Sequence, residues 1–209
     1  MKKLLYVLGL MFILAGISNA ASTGTYLVKM TIVEESVAIQ VDSDNGTADL
    51  GYVMKGSSVT SRPQGKEIGT GRTITKNVGA ANVTLKLKIT AKPTDWITGT
   101  TSLDDIAANK FVLATVYTIW VATTNLSDFQ DGDVITESDK IAAATTGNFV
   151  NDDNSPGVPA TDVTDGYNIP PAEEVNNFYY FKAPSSLSNA DQYNVEQVIT
   201  VTVTAVQQL

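Results

Sequence analysis

Two residue types with versatile chemistry are missing from this sequence: its 209 residues include neither cysteine nor histidine. Without cysteine the chain forms no disulfide and has no thiol nucleophile. Without histidine it lacks the usual general base, the commonest zinc ligand and every Ser-His or Cys-His pair. A carboxylate pair or a Ser-Lys dyad would be the remaining catalytic options. We therefore expect a protein that is not an enzyme, and we assign it no catalytic residue and no cofactor.

Basic residues are scarce, with 14 Lys and Arg against 22 Asp and Glu. Two of them, Lys2 and Lys3, precede an apolar run at 4–17 and the small or polar residues at 18–20. This order is typical of a secretory signal peptide, and the run is too short for a comfortable membrane span. We predict a signal peptide at 1–20 that is cleaved after Ala20, in preference to an uncleaved anchor. The protein is then secreted, extracellular or on the cell surface, with the periplasm as the alternative.

The mature chain is acidic. Removal of 1–20 takes two of the 14 basic residues and none of the acidic ones, which leaves a net charge of −10. Partners with phosphate groups need a basic footprint, so we expect neither nucleic acid nor, after cleavage, a membrane as partner. The remaining residues, 21–209, are numerous enough for one core, and we predict a single domain.

Apolar residues alternate with polar ones along most of the mature chain. The clearest example runs from Val83 to Ile89, where Leu85 and Leu87 alternate with Lys86 and Lys88. Period two predicts strands with one buried and one solvated face. The predicted strands are Thr25–Val33, Ser36–Val41, Arg72–Val78, Val83–Thr90, Phe111–Ala122, Val175–Lys182 and Val195–Ala205. We predict an all-β, immunoglobulin-like β-sandwich of about seven to nine strands.

Turn and loop signals separate these strands. Asp44-Asn45-Gly46 predicts a turn from Ser36–Val41 toward Leu50–Val53, and Gly79 marks a hairpin or a corner. Ser102–Lys110 is the one short helix we predict, since Ser102 suits an N-cap. Two long inserts, Thr123–Thr146 and Gly147–Asn168, are where specificity would lie.

Several segments carry a resemblance to known proteins. The stretch Thr73–Ala91 (TITKNVGAANVTLKLKITA) runs through an Asn-x-Gly corner into an alternating strand that ends in alanine. It resembles a recurring piece of secreted bacterial immunoglobulin-like β-sandwich proteins, and camelysin-type biofilm fibre subunits share it. Asp49–Val53, Asn168–Pro184 and Gln197–Ala205 are similar to other strands of such domains. The resemblance implies a building block of extracellular fibres, and it supplies no catalytic residues.

Oxygen-rich clusters raise the question of calcium, which takes six to eight oxygen ligands from a loop. None of them has the spacing of a known calcium loop, so solvated turn residues are the preferred interpretation and we assign no metal-ligating residue. The clusters are Asp128, Asp131 and Asp133; Asn151, Asp152, Asp153 and Asn154; and Asp42, Asp44 and Asn45.

Paired carboxylates occur at Glu34-Glu35 and Glu173-Glu174. Adjacent residues on a strand face opposite ways, so neither pair can flank one glycosidic bond. Aromatic residues offer a different option, because an exposed ring stacks on a sugar. The candidates are Phe178, Tyr179, Tyr180 and Phe181, with Trp96, Tyr117 and Trp120.

Export, the missing catalytic residue types and apolar residues on both faces of Phe111–Ala122 favour a non-enzymatic structural or cell-surface protein. We expect a subunit of an extracellular fibre, sheath or matrix. The strand Thr25–Val33 either pairs within its own domain, which is the preferred interpretation because sequential strands usually pair locally, or is exchanged with a second copy. The partner would be this second copy or another surface protein. The alternative is a secreted carbohydrate- or ligand-binding module that uses the aromatic strand and the loop at 147–168 to bind a glycan.

Overall fold

The computed structural model describes residues 23–33, 43–44, 47–60, 72–79, 81–100, 102–118, 126–143, 148–149 and 166–207. The predicted signal peptide and the predicted strand Ser36–Val41 lie outside these residues. The described residues form three short 3₁₀ turns, Leu126–Asp128, Asp131–Asp133 and Ala190–Gln192, and eleven strands. The strands are β1 (Thr23–Val33), β2 (Ser43–Asp44), β3 (Thr47–Met54), β4 (Ser58–Thr60), β5 (Thr73–Lys76), β6 (Val83–Ala91), β7 (Ile97–Thr98), β8 (Lys110–Thr118), β9 (Lys140–Ile141), β10 (Glu174–Lys182) and β11 (Glu196–Gln207).

The strands form two sheets. Sheet A has the order β2-β3-β1-β11-β6-β9, and sheet B has the order β4-β10-β8-β7, with β5 also paired to β10. Inward side chains of both sheets form a common core that includes Val28, Leu87 and Val201 from sheet A and Leu113 and Phe181 from sheet B. The prediction of an all-β sandwich is confirmed.

The number of strands exceeds the predicted seven to nine. Seven of the eleven have four or more residues, and among these β6 and β11 follow the clearest alternating segments of the sequence. The other four, β2, β4, β7 and β9, have two or three residues each. Strands of two or three residues are too short to show an alternation of apolar and polar residues in the sequence.

Strand β6 shows how alternating apolar and polar residues correspond to buried and exposed side chains. Leu85, Leu87 and Ile89 are buried, whereas Lys86 and Lys88 remain partly exposed and both pair with Asp139. The predicted facing of this strand is therefore correct.

Strand β1 is the first described strand but lies in the middle of sheet A. It pairs antiparallel with β11, from Thr23 opposite Thr204 to Thr31 opposite Glu196. On its other side it pairs parallel with β3. Both edges of β1 are therefore occupied.

The two predicted turns differ in how far the structure describes them. Asp44 of β2 pairs antiparallel with Thr47 of β3, while Asn45 and Gly46 between them lie outside the described residues. The Gly79 signal resolves to a corner, because β5 belongs to sheet B and β6 to sheet A.

The predicted helix at Ser102–Lys110 is wrong. Residues 103–104 form a turn, Ala107 and Ala108 make isolated bridges, and β8 begins at Lys110. The Asp105 carboxylate accepts hydrogen bonds from the Thr100 backbone N–H (2.8 Å) and from the Lys110 ammonium (2.5 Å). These contacts fold the segment back on itself, a competition with helix that short polar side chains commonly win.

The first predicted insert packs against the sandwich as an additional layer. We call its described residues, 126–143, the insert layer. Together with Phe149, it covers the outer edges of β6 and β8, which is a common way to protect strand edges. Four backbone hydrogen bonds make this connection: Ile89 N–H to Thr136 O (2.7 Å), Ala142 N–H to Leu85 O (2.9 Å), Ile135 N–H to Leu113 O (2.8 Å) and Tyr117 N–H to Phe149 O (3.2 Å).

Candidate functional sites

The aromatic strand β10 does not form an exposed platform. Tyr179 and Phe181 point into the core between the sheets, while Phe178 and Tyr180 point to the other side of sheet B. None of these four side chains is more than 3% exposed, and Trp96 and Tyr117 are buried as well. Trp120 lies outside the described residues. The prediction that β10 could present rings to a sugar is therefore wrong.

The insert layer explains why β8 and β10 are apolar on both faces. Phe129 and Val134 of this layer pack on Val116, Phe178 and Tyr180 in a second buried cluster. The Phe129 and Tyr180 rings are 5.8 Å apart. The apolar pattern on both faces of Phe111–Tyr117 is thus explained by burial within the chain, and residues 119–122 of the predicted strand lie outside the described residues.

Two carboxylates of the acidic cluster in the insert layer, those of Asp131 and Asp133, accept hydrogen bonds from backbone N–H groups. Asp133 is fully buried, and its carboxylate accepts hydrogen bonds from the N–H groups of Gln130 and Phe149, both at 2.7 Å. Asp131 accepts from the Leu103 N–H at 2.8 Å, which fastens the layer to the 102–110 loop. The described part of the chain contains no group of three acidic side chains suited to a metal ion. Asn151–Asn154 lie outside the described residues.

Lys140 supplies a positive charge near Asp133. Its ammonium donates to the Val134 carbonyl (2.9 Å) and lies 5.7 Å from the centre of the Phe149 ring. Burial lowers the pKa of Lys140, and the negative charge of Asp133 opposes that shift. Lys140 thus places a compensating positive charge near a buried carboxylate.

The carboxylate pair Glu173-Glu174 lies at the start of β10. Both residues are exposed, and Glu174 pairs with Lys76 at 2.9 Å. Glu34-Glu35 lie outside the described residues.

A buried polar group, which we call the tyrosine cluster, lies between the sheets. Sequence reasoning missed it, although Asn177 and Thr115 at inward positions of apolar strands are its signal. The Tyr179 hydroxyl bonds to the Thr73 hydroxyl (2.8 Å) and accepts from the Asn177 amide (2.9 Å). The cluster consists of Tyr26, Thr73, Thr115, Tyr117, Asn177 and Tyr179.

The hydroxyls of Tyr26 and Tyr117 lie buried beside one another in the tyrosine cluster. Burial raises the pKa of Tyr26, Tyr117 and Tyr179 above the usual tyrosine range. All three side chains are therefore neutral at physiological pH.

A cleft of about 300 Å³ opens at the end of the sandwich where β1 begins.

Comparisons with protein-family models, with curated proteins and with solved structures gave no match. In the described part of the chain, no helix is long and apolar enough to cross a membrane.

Proposed function

We propose that this chain is an exported, non-enzymatic structural or cell-surface protein, a subunit of an extracellular fibre, sheath or matrix. Its single carrying observation is the position of β1, the first strand of the mature chain and a central strand of sheet A. Nine residues of β1 pair with β11 and six with β3. A second copy could supply the same strand and preserve each of these pairs, which is the physical basis of strand exchange.

The insert layer beside β6 and β8 supports exchange over addition of a strand at that side of the sandwich. The insert layer already takes up backbone groups of β6 and β8, so a partner strand would have to displace it. Exchange of β1 needs no free edge. When β1 of one copy leaves its own sheet, it vacates a site between β11 and β3 that β1 of another copy can fill.

The alternative, a carbohydrate-binding module, is less well supported. Stacking on a sugar needs an exposed ring face, and the rings of β10 are buried. Glycan-array binding by the purified mature protein would restore this alternative.

The proposed exchange is tested with a disulfide placed across β1 and β11. Thr25 and Thr202 are facing partners on the outer face of sheet A, and the chain has no cysteine to interfere. The double variant Thr25→Cys with Thr202→Cys is purified, allowed to assemble, oxidised and run on a non-reducing gel. If β1 is exchanged, the filaments yield covalent ladders, and oxidation of the monomer before assembly blocks filament growth.

A matched control joins β11 to β6, which exchange leaves in one chain. Lys88 also faces Thr202, so Lys88→Cys with Thr202→Cys shares one position with the test variant. This disulfide should stay within one chain and leave assembly unchanged. Filaments whose Thr25→Cys, Thr202→Cys subunits remain cross-linked only internally would refute exchange. Absence of filaments by negative-stain microscopy would refute the fibre role.

Export is tested separately. The proposal requires the protein recovered outside the cytoplasm to begin at Ala21, as N-terminal sequencing would show. A protein retained in the cytoplasm with its first 20 residues would overturn it.

A further inference from the structure

The two ends of the sandwich carry different residues. We call the end at which β1 begins the first end, and the end at which β1 finishes the second end. Val78 belongs to the first end, because it lines the same cleft as Gly24 at the start of β1. Met54 belongs to the second end, because it pairs with Val33, the last residue of β1.

Exposed apolar side chains concentrate at these two ends. Nine large apolar side chains are exposed among the described residues, and six of the nine lie at one end or the other. Val78 is the most exposed of them, at 78%. The first end has Ile74, Val78 and Val206, and the second end has Met54, Ile97 and Val195. Exposed apolar residues that group together are characteristic of interaction surfaces.

The proposed exchange of β1 limits how far apart two subunits can lie. Residues 34–42 join Val33 of β1 to Ser43 of β2. Ten Cα–Cα steps span at most about 36 Å, so a β1 that fills a neighbour's sheet has its own β2 within about 36 Å of that neighbour's second end. The rest of its subunit must therefore pack beside that end.

Two arrangements of the subunits satisfy this limit. Reciprocal exchange places the second ends of two copies together and closes a dimer. One-way exchange places each subunit beyond the second end of the next one and continues without closing, which is the geometry of a fibre. In the one-way arrangement the apolar residues of the first end lie toward the neighbour's second end, whereas in the dimer they would stay in water.

We infer, on the basis of the proposed fibre, that the first end of each subunit packs on the second end of the next copy. The contact covers Val78 and Val206 with Met54 and Val195. Its partner is another copy of this chain in head-to-tail order. Because the contact uses two different surfaces, it is heterologous and the fibre is polar.

The connection from β1 to β2 also limits the repeat of the fibre. Val28 lies five residues before Val33, and Ser43 lies two strands from Val28, through Ala48. At about 3.3 Å per residue and about 4.8 Å between strands, equivalent Val28 positions in successive subunits lie at most about 65 Å apart.

The contact is tested by cross-linking of single-cysteine variants in filaments of the mature protein. The chain has no cysteine of its own, so Val78→Cys and Met54→Cys each have one reactive thiol. Filaments grown from an equal mixture of the two variants are treated with a short bismaleimide. Cross-linked dimers should form in the mixture and in neither variant alone, because each first end meets only a second end. Dimers from Met54→Cys alone would show the reciprocal arrangement and overturn the inference.

Two further mixtures complete this test. Val195→Cys in place of Met54→Cys samples the second end at another position and should also give dimers with Val78→Cys. Leu126→Cys in place of Val78→Cys is the control, since Leu126 lies on the insert layer and outside the proposed contact. That control mixture should give no dimers.

A charge substitution tests whether the contact drives assembly. Val78→Glu places a charge in the contact and should raise the protein concentration needed for filament growth about 10-fold or more. Leu126→Glu is the matched control, because Leu126 is also an exposed apolar residue, at 56%, and it should leave growth unchanged. Both side chains are exposed in the monomer, so circular dichroism should show two folded proteins.

The outcomes separate this inference from the proposed function. Suppose that Thr25→Cys, Thr202→Cys filaments give covalent ladders while neither mixture with Val78→Cys gives dimers. Exchange then stands, and the end-to-end contact is wrong. Equal effects of Val78→Glu and Leu126→Glu on growth would also overturn the contact. Absence of filaments, or an axial repeat above about 65 Å by electron microscopy, would refute the exchange and this contact with it.

Discussion

Backbone conformation places unusual demands on a few residues. Among the described residues, six non-glycine residues have positive φ, and four of them are Asn or Asp, which tolerate the left-handed region. Ala172 is different, with φ of 67° directly after Pro170-Pro171. Its N–H donates to the Asn77 carbonyl at 2.7 Å, so the turn before β10 is tied to the corner after β5. That hydrogen bond offsets the cost of the alanine.

Replacement of Ala172 by glycine should stabilise the protein by about 0.5–1 kcal/mol. Glycine removes a left-handed penalty of about 1–2 kcal/mol and loses part of that gain through the greater freedom of the unfolded chain. The control is Ala91→Gly, an exposed strand position without positive φ, which should destabilise by about 0.5–1 kcal/mol. Urea unfolding measures both, and a loss of stability in both variants would contradict the strain at Ala172.

Gly166 and Gly56 both have positive φ, but only at Gly166 would an added Cβ also collide with a neighbouring side chain. Gly166 has φ of 83°, and a Cβ there would lie 2.8 Å from Cδ2 of Tyr117. Gly56 has φ of 70°, but the nearest atom to a Cβ, the Ser185 Cα, is 3.9 Å away. Gly166→Ala should therefore cost about 1–3 kcal/mol more than Gly56→Ala, because only the first also overpacks the core. Equal shifts of the urea midpoint would show that Tyr117 gives way freely.

At the scale of an element, β6 tests whether alternation controls the fold. Leu85→Asp places a charge at a buried position and should cost about 4 kcal/mol or more, enough to unfold most of the protein. Lys86→Gln breaks a surface pair with Asp139 (2.9 Å) and should cost less than about 1 kcal/mol. Circular dichroism with urea titration distinguishes the two, and a folded Leu85→Asp protein would contradict the assigned facing.

The insert layer should be required for stability of sheet B. Phe129 is 4% exposed and packs on Tyr180, so Phe129→Ala should cost about 3–5 kcal/mol and expose an apolar surface. Leu126, three residues away in the same layer, is 56% exposed, and Leu126→Ala should cost less than about 0.5 kcal/mol. Urea unfolding and binding of a dye for apolar surface measure the effects. Comparable values for both variants would mean that the layer does not cover the sheet.

The elements differ in how far their sequence predicted them. The sequence predicts long strands such as β6 and β11, because buried apolar and solvated polar side chains alternate along them. The prediction of a helix at 102–110 is wrong because the capping signal at Ser102 competes with the side-chain bonds of Asp105 to Thr100 and Lys110. The exposed aromatic platform considered for β10 does not form, because Phe129 and Val134 cover Phe178 and Tyr180. These two covering residues come from a segment with little apolar periodicity, so the sequence does not predict the cover. The cleft could not be foreseen at all, because its walls come from four distant segments.

At the scale of the whole molecule, the tyrosine cluster links the two sheets. Tyr26 belongs to sheet A, and Tyr117 and Tyr179 belong to sheet B. The rings of Tyr26 and Tyr179 meet edge to face with centroids 6.5 Å apart. Because their hydroxyls are buried and neutral, neither sheet can hydrate them without separation of the sandwich. Ionisation of these tyrosines and loss of the fold should therefore be one event.

The protein should lose stability steeply above about pH 10, where tyrosines of the unfolded chain ionise. The pKa values of Tyr26, Tyr117 and Tyr179 are raised in the folded state by burial. The stability that the neutral hydroxyls contribute is complete below the unfolded pKa and falls as the pH rises toward the folded values. Three such groups give a slope of up to about 4 kcal/mol per pH unit.

Urea unfolding at successive alkaline pH values, with tyrosinate absorbance followed in parallel, checks this slope. Tyr117→Phe should lower it by about one third, whereas Tyr52→Phe, at a side chain that is 51% exposed, should leave it nearly unchanged. Tyrosinate absorbance should rise in the same transition as the loss of circular dichroism. Full ionisation of all the tyrosines in a protein that remains folded would contradict the buried, neutral cluster, because charged hydroxyls cannot stay between two packed sheets without water.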